Sequence, residues 1–285
     1  MDKFQDGKYL IINADDFGMC HATNTAISTL FNNGRINSAS LMMTGPWLNE
    51  AVNYIKQSNC DIGIHITVTS EWEYYKWKPL TDDSRTLLDS SGNFTHDVEY
   101  IWNRADTTQL RKEAEAQLQL AYHLGLAPSN IDHHMGALLK EIDILLDLCE
   151  QYRLPLRYAR NSEEYWHQLV DHQYVLQEVE RRGIIIPDYV IGLPFFTPEG
   201  QEANYEVTKS AALTLLSQLE VGVTELVMHP SIANEELQAI TSTYPLRQAE
   251  YDVWSDPEVK QLLIDKNIQL IGWKDLMELQ RSLGQ

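Results

Sequence analysis

Tyr9-Leu10-Ile11-Ile12-Asn13-Ala14-Asp15-Asp16-Phe17-Gly18 is an apolar run too short for a helix, closed by polar residues and a glycine. It reads as a buried strand entering a loop. Two adjacent carboxylates, Asp15 and Asp16, leave the carboxyl end of that strand together. Carboxylates so close repel, and the repulsion is relieved by a metal, a shared proton or full solvation. Either aspartate could instead simply cap the helix that follows. Histidines elsewhere stand at the same kind of position: His65, the His133-His134 pair and His229 lie within or at the end of short apolar runs.

Outward from this strand the pattern alternates. Residues 22–33 place Ala22, Ala26, Ile27 and Leu30 at helical spacing and stop at Asn33-Gly34. Residues 38–43 form a second apolar run, 47–57 another helix, and 61–69 a β-rich third strand. Between 70 and 106 the periodicity disappears, and a connection of that length is usually functional. The spacing then predicts helices over 107–124, 141–152, 163–182, 203–219, 246–253, 257–266 and 273–283. Extended runs fall at 130–134, 154–158, 184–186, 225–228 and 268–271. About eight apolar runs alternating with helices make a parallel sheet wrapped by helices. We expect one α/β domain over 1–285, curled into a TIM-barrel-like (β/α) barrel with seven or eight strands and an irregular closure. No Gly/Ser linker, internal repeat or low-complexity tract divides the chain.

At 285 residues and 44% apolar content the chain can bury a large core and is not disordered. Lys+Arg 22 against Asp+Glu 41 leaves a net charge of −19, which repels phosphate backbones and anionic lipid. A nucleic-acid or membrane role is disfavoured. The amino terminus has no apolar core of signal-peptide type, and no apolar run reaches membrane-spanning length, so the expected location is cytoplasmic. Cys20, Cys60 and Cys149 are odd in number and far apart, and read as ordinary thiols rather than a disulfide or zinc framework.

In a parallel α/β barrel, catalytic groups gather at the carboxyl ends of the strands. Asp15 and Asp16 after the first strand, His65 in the third, His133 and His134 ending the fourth and His229 ending the seventh would meet on one rim. Imidazoles combined with a carboxylate are a usual set of ligands for a catalytic divalent metal. Each histidine alone could equally be a satisfied core residue. His21, His96, His123, His167 and His172 lack this placement and read as ordinary.

Asn13-Ala14-Asp15-Asp16-Phe17-Gly18, Gly63-Ile64-His65-Ile66-Thr67, Ile131-Asp132-His133-His134-Met135-Gly136 and Met228-His229-Pro230 follow the order and spacing of a known family. Over nearly its whole length the chain resembles the YdjC-like carbohydrate deacetylases. Arg247 with Glu250 and the closing Leu270-Ile271-Gly272-Trp273 are similar too. The resemblance implies a barrel-like fold related to the polysaccharide deacetylases and removal of acetyl groups from N-acetylated sugars with one divalent metal. It makes Asp16, His65 and His134 the metal ligands and Asp15 the general base. Many members have three histidines in a run where this chain has His133-His134-Met135, which bears on whether His133 participates. By general acid logic together with the resemblance, His229 would protonate the leaving amine. Asp132 shares the face of His134 and reads either as a carboxylate supporting a ligand or as an ordinary strand-end residue.

Trp72, Tyr74, Tyr75 and Trp77 in the long loop suit a sugar platform or lid, and equally a dimer contact or a local core. Phe195, Phe196 and Trp254 read as core. Arg247 and Glu250, one helical turn apart, form either an i,i+3 surface pair or a device that holds substrate or supports the site. The ion could be Mg2+ or Zn2+, with Mn2+ or Co2+ also compatible, and a homodimer is the commonest assembly. A metal phosphoesterase on the same scaffold and a non-catalytic sugar-binding protein are the competing readings. Against the phosphoesterase, no cluster of Arg or Lys accompanies the proposed ligands; against the binding protein, the base Asp15 is present.

Overall fold

The computed structural model describes Phe4 and residues 6–161, 169–193 and 204–283. His167, Phe195 and Phe196 and parts of the 163–182 and 203–219 helices lie outside the described residues. The strands are β1 (Lys8–Phe17), β2 (Ser38–Leu41), β3 (Ile62–Ile66), β4 (Ile131–His133), β5 (Tyr189–Gly192), β6 (Gly222–Met228) and β7 (Ile268–Leu270). The helices are α1 (His21–Asn32), α2 (Leu48–Ser58), α3 (Val98–Arg104), α4 (Thr107–His123), α5 (Ile142–Tyr152) and α6 (His172–Arg182). They continue with α7 (Tyr205–Ser217), α8 (Glu235–Ile240), α9 (Tyr244–Ser255), α10 (Pro257–Asp265) and α11 (Trp273–Leu283).

β1 is the axis of the sheet. One of its edges pairs with β6 from Lys8 to Ala14, and the other is divided between β7 at its start and β2 further on. The order β4-β3-β2-β1-β6-β5, with β7 beside β1, is parallel at every pairing. Helices cover such a sheet on its faces, which is why β1 is buried from Leu10 to Phe17 and reads as one apolar run. The result is a curled parallel sheet, a half-barrel, with the carboxyl ends of β1, β3, β4 and β6 on one rim.

The extended runs expected at 154–158 and 184–186 are not regular strands. Leu156 N–H donates to Ile185 at 3.1 Å, and Asp188 N–H to Val223 at 2.9 Å, so backbone bonds still pass from β4 toward β6. A ladder fails because the N–H of Ile185 goes to the Gln280 side chain at 2.7 Å and Pro187 has none to give. The strand forms just beyond, as β5. The segment 70–106 is also more ordered than its pattern suggests: it carries a 3-10 turn at Arg85–Leu87, a Leu88–Phe94 bridge and α3. Buried Glu113 of α4 pins it by accepting the N–H groups of Leu80 and Thr81 at 3.0 Å.

Gly63 of β3 is required by a close approach. A Cβ there would stand 2.1 Å from Asn130 Oδ1, and Asn130 Nδ2 donates to Asp132 at 3.2 Å. Gly63→Ala should therefore cost about 1–3 kcal/mol through overpacking, a fall of several degrees in Tm, while preserving the fold. Thermal melting checks this; an unchanged Tm would mean that Asn130 has somewhere else to go.

Candidate active site

Successive residues on a regular strand point to opposite faces, so Asp15 and Asp16 should diverge. They do not, because β1 is irregular at that point. Its register with β2 shifts between Ala14 and Phe17, and Asp16 adopts the left-handed conformation with φ 66°. A bulge of this kind re-aims a side chain, and both carboxylates end up buried at the rim, 3% and 1% exposed. A non-glycine residue held in that region is strained and persists only where its surroundings over-determine it.

Asp16 Oδ1 accepts no well-aligned hydrogen bond from the described residues; it faces His134 Nδ1 at 3.5 Å and His65 Nε2 at 3.8 Å. The three donor atoms lie within 4.8 Å of one another and all three residues are buried. Ligands of one metal at about 2.0–2.2 Å stand roughly 3–3.5 Å apart, so this oxygen and these two nitrogens fit a divalent cation. His65 Nδ1 is hydrogen-bonded to Asp132, which leaves Nε2 as its outward face. Burial opposes charge on His65, but Asp15 and Asp132 prevail and raise its pKa to about 9. Burial also opposes charge on Asp16, yet Arg247 and His134 hold its carboxyl well below the usual range. Asp15, His65 and Asp132 also converge within metal-binding distance. There, however, both oxygens of Asp15 and both of Asp132 already accept hydrogen bonds from the protein.

Asp15 is gripped by Arg157, Nη1 to Oδ2 and Nη2 to Oδ1, each at 2.8 Å, and Asn13 Nδ2 adds a bond to Oδ1 at 2.7 Å. Its Oδ2 still faces His65 Nε2 at 3.8 Å and His229 Nε2 at 3.9 Å. The same guanidinium reaches Glu225 at 2.9 Å and Asp132 at 3.3 Å. Trp273 Nε1 donates to Glu225 at 3.1 Å, so the closing helix is tied to the floor of the site. Burial pushes Glu225 up to about 7.

His229 follows β6, the sixth strand rather than the seventh, and its side chain is 22% exposed. Burial lowers its pKa to about 4. Its backbone N–H donates to Glu250, which burial raises to about 7. Arg247 donates to Asp16 Oδ2 at 2.8 Å and faces Glu71 at 3.3 Å. The surface-pair reading of Arg247 and Glu250 is thereby corrected: they are 1% and 2% exposed and serve different partners, because α9 turns this face inward against the rim. His133 is half-buried, with its pKa lowered to about 4 by burial.

In the aromatic segment, Trp72, Tyr75 and Trp77 pack on one another with ring centroids 6.0–6.4 Å apart, and Trp77 meets His134 edge-on at 5.8 Å. Tyr74 alone of the four is exposed, at 89%. Sequence reasoning missed Arg157, Glu225 and Glu71. A charged residue inside the extended runs Leu154-Pro155-Leu156-Arg157-Tyr158 and Val223-Thr224-Glu225-Leu226-Val227-Met228 was the available signal for the first two. The expectation that no cluster of Arg or Lys accompanies the ligands is also corrected, since folding delivers Arg157 and Arg247 from distant segments.

The family model described as YdjC-like protein matches residues 9–265. A carbohydrate deacetylase of Thermoanaerobacter pseudethanolicus is 31% identical over 94% of this chain and 99% of its own length. One from Thermus thermophilus is 29% identical over 95% and 94%. A solved structure from Enterococcus faecalis V583, described as a cellobiose-phosphate cleavage protein, superposes with a TM-score of 0.79 at 26% identity over 95% of this chain and 99% of that one. With the match running from β1 to the end of α10, the chain belongs to the YdjC-like protein family.

Proposed function

We propose that this protein is a metal-dependent hydrolase that removes acetyl groups from N-acetylated sugars, chito-oligosaccharides among them. The observation that carries this reading is Asp16 Oδ1 facing the nitrogens of His65 and His134, with Asp15 Oδ2 3.8 Å from the same His65 nitrogen. The relatives named carbohydrate deacetylase support the substrate class.

Asp16, His65 and His134 would hold the ion, and Asp132 would orient His65 through Nδ1. A bound Mg2+, Zn2+, Mn2+ or Co2+ supplies polarisation of the acetyl carbonyl and a lowered pKa for water. Asp15 takes the water's proton at Oδ2, the oxygen that faces the two histidines. Arg157 and Asn13 fix that carboxylate, so the base is aimed before substrate arrives. His229, neutral at pH 7 and 3.9 Å from Asp15 Oδ2, would receive the proton and pass it to the leaving amine. The phosphoesterase reading loses ground, because both arginines at the site are bonded to carboxylates rather than turned toward an anionic substrate.

Acetate release from N-acetylglucosamine oligomers with added metal tests the assignment. Asp15→Asn should lower kcat about 10²–10⁴-fold with metal still bound, whereas His65→Ala should lose the metal as well. Equal acetate release by wild type and Asp15→Asn would remove Asp15 from the mechanism.

Burial also sets a pH dependence for folding. Glu225 and Glu250 have carboxyl pKa values raised to about 7 in the folded state, so the folded protein binds their protons more tightly than the unfolded chain. Their contribution is fully present below the unfolded value near 4.5 and is lost as pH rises through about 7. His133 and His229, lowered to about 4, act in the opposite sense as pH rises from about 4 to 6.5, so the Glu225 share is read by difference: in metal-free protein Glu225→Gln should gain Tm relative to wild type as pH rises from about 4.5 to 7. Melting curves of both proteins across that window decide; a Tm difference that stays constant or moves the other way contradicts it.

A further inference from the structure

Arg247 takes no part in the mechanism above, yet it is among the most deeply buried side chains, 1% exposed in α9. It sits between two carboxylates from remote segments. Nη1 donates to Asp16 Oδ2 at 2.8 Å, and Nη2 faces the two oxygens of Glu71 at 3.3 and 3.4 Å. The guanidinium also lies over Trp72, 5.4 Å from the ring centre. Residues 71–77 are therefore joined to the metal donors by two routes. One is the charge chain Glu71, Arg247, Asp16; the other is the ring chain Trp72, Trp77, His134.

The bond to Oδ2 leaves Oδ1 as the one oxygen of Asp16 aimed at His65 and His134, and it restrains a residue whose left-handed backbone needs outside support. Without the guanidinium, buried Asp16 and half-buried Glu71 would lose the cation they share, and burial already pushes the Glu71 carboxyl up. Accepting the metal reading of Asp16, His65 and His134, we infer that Arg247 is a positioning residue that sets Asp16 as a one-oxygen ligand. Through Glu71 and Trp72 it also couples the seating of segment 71–77 to metal binding. Coupling of this kind is reciprocal: whatever steadies Asp16 steadies the aromatic segment, and the reverse.

The test titrates the full chain with Co2+ and follows amide hydrogen exchange over 71–77, in wild type, Arg247→Met, Arg247→Lys, Glu71→Gln and His65→Ala. In wild type, Co2+ slows exchange in the segment. Arg247→Met weakens Co2+ binding about 10–100-fold and abolishes the slowing even at saturating Co2+, and Arg247→Lys restores part of both. Glu71→Gln still binds Co2+ but loses the slowing, and its KM for N-acetylated oligomers rises more than its kcat falls. Wild-type Co2+ affinity in Arg247→Met, or slowing that survives in both Arg247→Met and Glu71→Gln, overturns the inference. If His65→Ala binds Co2+ as tightly as wild type, the metal reading itself fails and this inference falls with it.

Discussion

The rest of the site depends on compensation of buried negative charge. Asp15, Asp16, Asp132 and Glu225 are all at most 3% exposed, inside a curled sheet where water cannot screen them. An isolated carboxylate in such surroundings takes up a proton rather than remain charged. At the rim two guanidiniums stand beside the aspartates as counter-charges: Arg157 is bonded to Asp15 and near Asp132, and Arg247 is bonded to Asp16. Each arginine is itself shared with a glutamate, Glu225 beneath and Glu71 at the loop. Removing one partner from such a cluster leaves an unpaired buried charge, which costs more than the pair contributes.

That electrostatic frame also explains the local backbone. The bulge at Asp15-Asp16 turns two neighbouring side chains to one rim, a geometry a regular strand forbids, and Asp16 bears the strain. The bonds from Arg157, Asn13 and Arg247 hold both carboxylates in the resulting positions. The left-handed Met135 directly after His134 shows the same pattern, a strained residue beside a metal-binding candidate.

The chain as a whole carries a net charge of −19, and at the rim two arginines offset part of the buried acidic charge. Such a protein has little attraction for polyanions. At the rim, imidazoles and carboxylates meet the packed rings of Trp72, Tyr75 and Trp77 through the contact of Trp77 with His134.

Much of this was legible in the residue pattern. Alternation of apolar runs with helical spacing implies a parallel sheet, because each strand buried on both faces must be apolar throughout, and the observed sheet is parallel at every pairing. The positions of Asp15, Asp16, His65, His134 and His229 at strand ends pointed to one rim for the same topological reason, and there the structure brings them together. What the pattern could not show is whatever arises between segments remote in the chain. Arg157 and Glu225 fell unmarked within expected extended runs, and Arg247 with Glu250 looked equally like a surface pair. Gln280 takes a donor that a fifth regular strand needed, and the bulge reverses the expected alternation at Asp16. Periodicity encodes which face of an element is apolar, a property of local sequence. Partners of a buried charge are decided by three-dimensional proximity, and only the folded chain supplies it.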